Sequence, residues 1–83
     1  MPEQFTLPVM YKDKEYDFTV TIIRLLYTFQ LQIEVNNQKL FFELDEGGDY
    51  RLVKMPWQNE NDIKRLDAML IQAIIDTLNA LNV

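Results

Sequence analysis

Carboxylates are the side chains of this sequence that are placed as if for chemistry. Asp45, Glu46 and Asp49 surround the Gly47-Gly48 pair, and Asp67 stands in an apolar run toward the C-terminus. Acids on a turn are raw material for a hard-cation site. A carboxylate enclosed by aliphatic groups is raw material for a raised pKa and acid–base work. Neither pattern goes far. The 45–49 spacing lacks the alternate ligand positions and distal Glu of an EF-hand loop, so a solvated turn is its ordinary reading. Asp67 lies about 40° from Ile63 on a helical wheel. It reads as a buried acid, as an acid beyond the sheet edge, or as the partner of an arginine such as Arg51.

Histidine, cysteine and serine are absent from the 83 residues. With them go the base that titrates near neutral pH, the thiolate, the commonest activated hydroxyl and the softer metal ligands. A glycosidase-like pair needs two acids facing one cleft, and the strand pattern scatters the acids over a convex face. The expectation is a protein that is not an enzyme, holds no metal or cofactor, and works through its surfaces.

Composition narrows the class further. Hydrophobic residues make up 48% of the chain, enough for a folded domain, and its length leaves room for one core. Thirteen acidic residues against eight basic ones give a net charge of -5. That balance repels phosphate backbones, so nucleic acid is not an expected partner. No apolar stretch approaches the ~20 residues of a membrane helix, and Met1-Pro2-Glu3-Gln4 does not open like a signal peptide. The expected compartment is cytoplasmic, with no membrane association.

Period-2 alternation marks the strands that must carry any surface. Phe5, Leu7, Val9 and Tyr11 alternate with Thr6, Pro8 and Met10; Tyr16, Phe18, Val20 and Ile22 alternate with Asp17, Thr19 and Thr21. A turn at Asp13-Lys14 pairs Tyr11 with Tyr16 and Leu7 with Val20. Pro8 lacks an amide hydrogen, which makes this strand an edge or bulges it. Tyr27, Phe29, Leu31, Ile33 and Val35 form the cleanest alternation, followed by Asn36-Asn37-Gln38. A turn at Asn37-Gln38 pairs Ile33 with Phe42, and a turn one residue earlier shifts the pairs by two while keeping the faces. After the glycine turn, a longer loop with a bulge buries Tyr50 and Leu52, which hides more apolar area than a two-residue turn.

Asn59-Glu60-Asn61-Asp62 supplies capping residues and first-turn acids for a helix. Ile63, Leu66, Leu70, Ala73, Ile74, Leu78 and Leu81 then share one stripe to about residue 82. The predicted fold class is α+β: a single domain, 1–83, with an antiparallel meander of about five strands (5–11, 16–23, 27–36, 39–45, 50–54). One C-terminal helix, about 60–82, packs on one face.

Three features point to contact surfaces. The reversal Ile22-Ile23-Arg24-Leu25-Leu26-Tyr27 contains no turn residue. Pairing Ile22 with Tyr27 leaves Ile23, Leu25 and Leu26 near a loop tip, where they either fold over the core or meet a partner. Ile71 and Ile75 widen one flank of the helix. About 22 helical residues span roughly 33 Å against roughly 23 Å for a seven-residue strand. The surplus suits a second copy of the chain. Trp57, in the strand-to-helix connection, either plugs the end of the core or anchors a partner. The outward sheet face is polar, with Phe41 its one clear aromatic.

The runs Phe5–Tyr16 and Tyr27–Val35 resemble the opening hairpins of small uncharacterised bacterial proteins built from a β-meander and a C-terminal helix. That resemblance implies the fold and carries no activity. The expected function is protein–protein interaction, as a homodimer or a small accessory subunit, through Ile23, Leu25, Leu26, Ile71, Ile75 and Trp57. The alternative is a small-ligand module with an apolar pocket lined by Phe18, Phe29, Phe42 and Leu70.

Overall fold

The computed structural model describes residues 3–81. Five strands, β1 (Glu3–Tyr11), β2 (Lys14–Arg24), β3 (Phe29–Val35), β4 (Gln38–Leu44) and β5 (Tyr50–Val53), form one antiparallel sheet in sequential order. Two helical segments follow, α1 (Glu60–Lys64) and α2 (Ala68–Leu81). The α+β meander expected from the alternation is therefore the fold, as an open sheet covered on one face.

Two tight turns set the register. Lys12 and Asp13 have φ of 51° and 62°, and Asn36 and Asn37 have 51° and 66°; each pair is the two-residue loop of its hairpin. Positive φ at both central residues matches the right-handed twist of flanking strands, and asparagine tolerates it best. The first turn thus lies one residue before the expected Asp13-Lys14. Leu7 pairs with Phe18 and Val9 with Tyr16, shifted by two from the expected register. The β3–β4 turn takes the earlier of its two expected positions, pairing Ile33 with Leu40. Even shifts preserve faces, so Leu7, Val9, Val20, Leu31, Ile33, Leu40 and Phe42 are all fully buried on one side.

Pro8 sits opposite Asp17 in an unbroken register at the sheet edge. Beyond a two-residue turn, hydrogen-bonded pairs recur at every second position, so the Pro8 nitrogen faces the open edge and no ladder bond is lost. The β4–β5 connection is the longer one: Leu44 pairs with Tyr50 and Phe42 with Leu52, leaving Arg51 exposed.

The continuous helix expected over 60–82 is instead broken at 65–67. Asn59 caps α1, its side chain accepting from the Asn61 N–H at 2.8 Å. Asp67 caps α2: its Oδ1 accepts from the Met69 N–H at 2.9 Å, and its carbonyl accepts from the Ile71 N–H at 3.1 Å. Ile71, Ile74 and Leu78 of α2 are buried, and Leu70, Ala73 and Ile75 pack against the same core. At 14 residues α2 is roughly 21 Å long, shorter than the roughly 36 Å of the 11-residue β2. No helical length is left over, which corrects the expected overhang.

Both ends of α2 are tied to the outermost strands. The Tyr11 hydroxyl at the end of β1 donates to the Asp67 carboxylate, and the Tyr50 N–H at the start of β5 donates to Asn79 Oδ1 at 2.8 Å. Those anchor points lie at opposite ends of the sheet, so α2 crosses it diagonally and packs on both β1 and β5. A flat sheet would hold these strands too far apart for one 14-residue helix to touch both. The sheet therefore curls around the helix, as right-handed twist allows.

Candidate functional site

Antiparallel topology decides what shares an end of the molecule. The start of β1, the end of β2, the start of β3, the end of β4 and the start of β5 all lie at one end. The Asn79–Tyr50 bond brings the C-terminus of α2 there as well. This end contains the reversal without turn residues. It is a four-residue loop, 25–28, closed by a hydrogen bond of 2.8 Å from the Leu25 N–H to the Thr28 carbonyl. Arg24 at its foot pairs with Glu3 across the β1–β2 register, Nη2 to Oε1 at 2.6 Å.

The loop does not fold over the core. Leu26 is 85% exposed and Tyr27 94%, with Leu25 at 46%. At the same end, Leu44 at the end of β4 and Leu81 at the end of α2 are 43% and 54% exposed. Leu44 continues the inward row of Leu40 and Phe42, and Leu81 continues the stripe of Ile74 and Leu78. Sheet and helix thus open at this end onto an apolar rim, with the loop standing beside it. Among the described residues five of the nine exposed large apolar side chains, Leu25, Leu26, Tyr27, Leu44 and Leu81, lie at this end, and Met10, Tyr16, Trp57 and Met69 lie toward the other. The two most exposed are Leu26 and Tyr27, and large apolar side chains left in water are a mark of a contact surface.

The expected contact residues fare unequally. Leu25 and Leu26 come together at the loop tip. Ile23 lies within β2 on the outward face, opposite Gln30, and is half-buried. Ile71 is core, only 9% exposed, and Ile75 packs against the core from its edge. Of the expected helix flank, Ile71 therefore belongs to the core, while Ile75 keeps part of its surface exposed. Trp57 is 65% exposed but does not plug the core; it stands on the outward face, edge-on to Phe41 with ring centroids 5.6 Å apart. It buries Phe41, the outward aromatic, to 5% exposure. Buried Gln58 fixes the connection there, donating to the Lys39 carbonyl and accepting from the Met55 N–H at 2.9 Å. Trp57 therefore lies at the opposite end from the loop.

Tyr27, Leu44 and Leu81 join the site unforeseen. Tyr27 reads as a strand residue by alternation, and the other two read as core. Only the missing turn chemistry hinted that the strands stop early.

Charge is divided along the same axis. Beside the apolar rim stand Glu3, Glu43, Asp45, Glu46 and Asp49, with Arg24 and Arg51 as the cations of that end among the described residues. At the other end Lys12, Lys14, Lys39, Lys54, Lys64 and Arg65 are balanced by Asp13, Glu15, Glu34, Glu60, Asp62 and Asp67. The net negative charge thus falls toward the apolar end. The 45–49 turn is internally bonded: Asp45 Oδ1 accepts from the Gly47 N–H at 2.9 Å and the Asp49 N–H at 3.0 Å.

Asp67 is not a buried acid of raised pKa. It is exposed at the break between helices, and the Tyr11 hydroxyl bonded to it holds its carboxyl below the usual range despite opposing desolvation. The same bond pushes the Tyr11 phenol up. Lys12 lies 5.3 Å from the centre of the Tyr11 ring. The group works as a helix anchor.

The residues expected to line a pocket all belong to the core or pack against it. Phe42 is fully buried, and Phe18, Phe29 and Leu70 close around the core. Among the described residues no helix is long and apolar enough to cross a membrane. No family model matches the chain, and no curated protein or solved structure matches it either.

Proposed function

We propose that this chain is a non-enzymatic protein-interaction domain that contacts its partner through the 25–28 loop and the apolar rim beside it. The observation that carries this reading is the exposure of Leu26 and Tyr27, 85% and 94%, on a loop closed by its own hydrogen bond. A loop backbone already closed by its own hydrogen bond loses less conformational entropy on docking than an open one, which favours binding. Burying one leucine there contributes about 1.5–3 kcal/mol. The compartment proposed with it is the cytoplasm, with which a chain free of cysteine is compatible.

The test is a Leu26→Ser/Tyr27→Ser double variant compared with the parent chain. Thermal stability should change little, because neither side chain is in the core. Recovery of partners from the native host should be lost, and any concentration-dependent mass in light scattering should fall to that of one chain. A variant that keeps every partner and the parental mass would remove this surface from consideration.

A further inference from the structure

Resting on that reading, we infer that the loop end takes a different polypeptide, one presenting an amphipathic segment with an apolar centre and a basic rim, in preference to a second copy of this chain. The argument is charge complementarity around an apolar patch. Leu25, Leu26, Tyr27, Leu44 and Leu81 supply the exposed apolar atoms. Around them the acidic side chains outnumber the basic ones, Arg24 is already paired with Glu3, and Arg51 stands opposite Glu43 in the β4–β5 register.

A symmetric dimer through this end brings the same patch of each copy together. It would set one 45–49 loop against the other, or hold both close to a shared low-dielectric interface. Like charges so placed are penalised, whereas lysines and arginines of a partner meet them favourably. The patch also suits a segment more than a broad face: one loop tip, one strand end and one helix end are small beside the roughly 800 Å² per partner of a standard interface. An amphipathic helix carries an apolar stripe flanked by charge, the pattern that complements an apolar patch with acidic surroundings.

The experiment uses the full chain, ¹⁵N-labelled, titrated with three synthetic peptides. The first has leucines at helical spacing with lysines elsewhere. The second keeps the leucines and replaces lysine by glutamate, and the third keeps the lysines and replaces leucine by serine. The expected result is binding of the leucine–lysine peptide with amide shifts concentrated in 25–28 and around Leu44 and Leu81. The other two peptides should bind at least tenfold more weakly, and the Leu26→Ser/Tyr27→Ser variant should lose the shifts.

Equal binding of the lysine and glutamate peptides at this end overturns the charge assignment while leaving a protein-docking surface in place. Equal binding of the serine–lysine peptide overturns it as non-specific attraction. No shifts at the loop end with any peptide overturns it outright. Dilution-dependent shifts at Leu26 and Tyr27 in the free protein, with a doubled mass, make a second copy the occupant. Shifts on adding phosphatidylcholine vesicles, without response to peptides, make it a lipid surface.

Discussion

A phenol and a carboxylate that hold each other titrate in opposite directions, and the Tyr11–Asp67 pair therefore has a pH signature. Asp67 is held below the ordinary 3.8, chiefly by the Tyr11 hydroxyl. Its contribution is present above that ordinary value and lost as pH falls through the lower folded value. Tyr11 is raised above 10.0, chiefly by the bond to Asp67. Its contribution is complete below the unfolded value and lost as pH rises through the folded one. Tyr11→Phe should therefore melt below the parent between about pH 5 and about pH 9, with the gap closing on both sides. A gap that stayed the same size below and above that window would mean that the two groups do not interact. The residues at the loop tip behave oppositely: Leu26→Asp should leave the unfolding free energy within about 0.5 kcal/mol of the parent, as exposed positions do.

Elements show where pattern and packing part company. Apolar spacing runs unbroken from Ile63 to Leu81, yet α1 and α2 are separate. A continuous helix would turn Asp67 toward the sheet, and an unpaired carboxylate against a core is expensive. Breaking the helix makes the same residue a cap, while Leu66 remains partly buried against the core. Asp67→Asn keeps a capping side chain and Asp67→Ala does not. Amide exchange at Met69–Ile71 should accelerate more in the alanine variant than in the asparagine one; equal rates would show that the cap is idle. The isolated acid in an apolar stripe was the legible sign of this break. What hid it was that pattern reading scores apolar positions and not the cap chemistry between them.

For the whole molecule, α2 is the clamp that holds the outermost strands of a curled sheet. Leu78→Ala should cost about 2–5 kcal/mol, the range for emptying a closed core site. Asn79→Ala removes the acceptor that holds the start of β5 and should cost about 1 kcal/mol in denaturant unfolding. Ile75→Asp discriminates between a free flank and a covered one. With Ile75 packed against the core, that variant should lose about 2 kcal/mol or more. Parental stability in Ile75→Asp would instead return this flank to the set of possible contact surfaces.

Alternation by itself determined the strand count and the inward faces, because a period of two assigns a face to every residue whatever the exact register. Pro8 marked β1 as an edge or bulged strand, and the asparagines marked the β3–β4 turn to within one residue, because left-handed backbone selects its residues. Only the tertiary structure decided that Ile71 belongs to the core and Tyr27 to the surface. One helix touches both β1 and β5, so curvature belongs to the whole sheet, and no local pattern reports how far a sheet bends or where a strand runs out of neighbours.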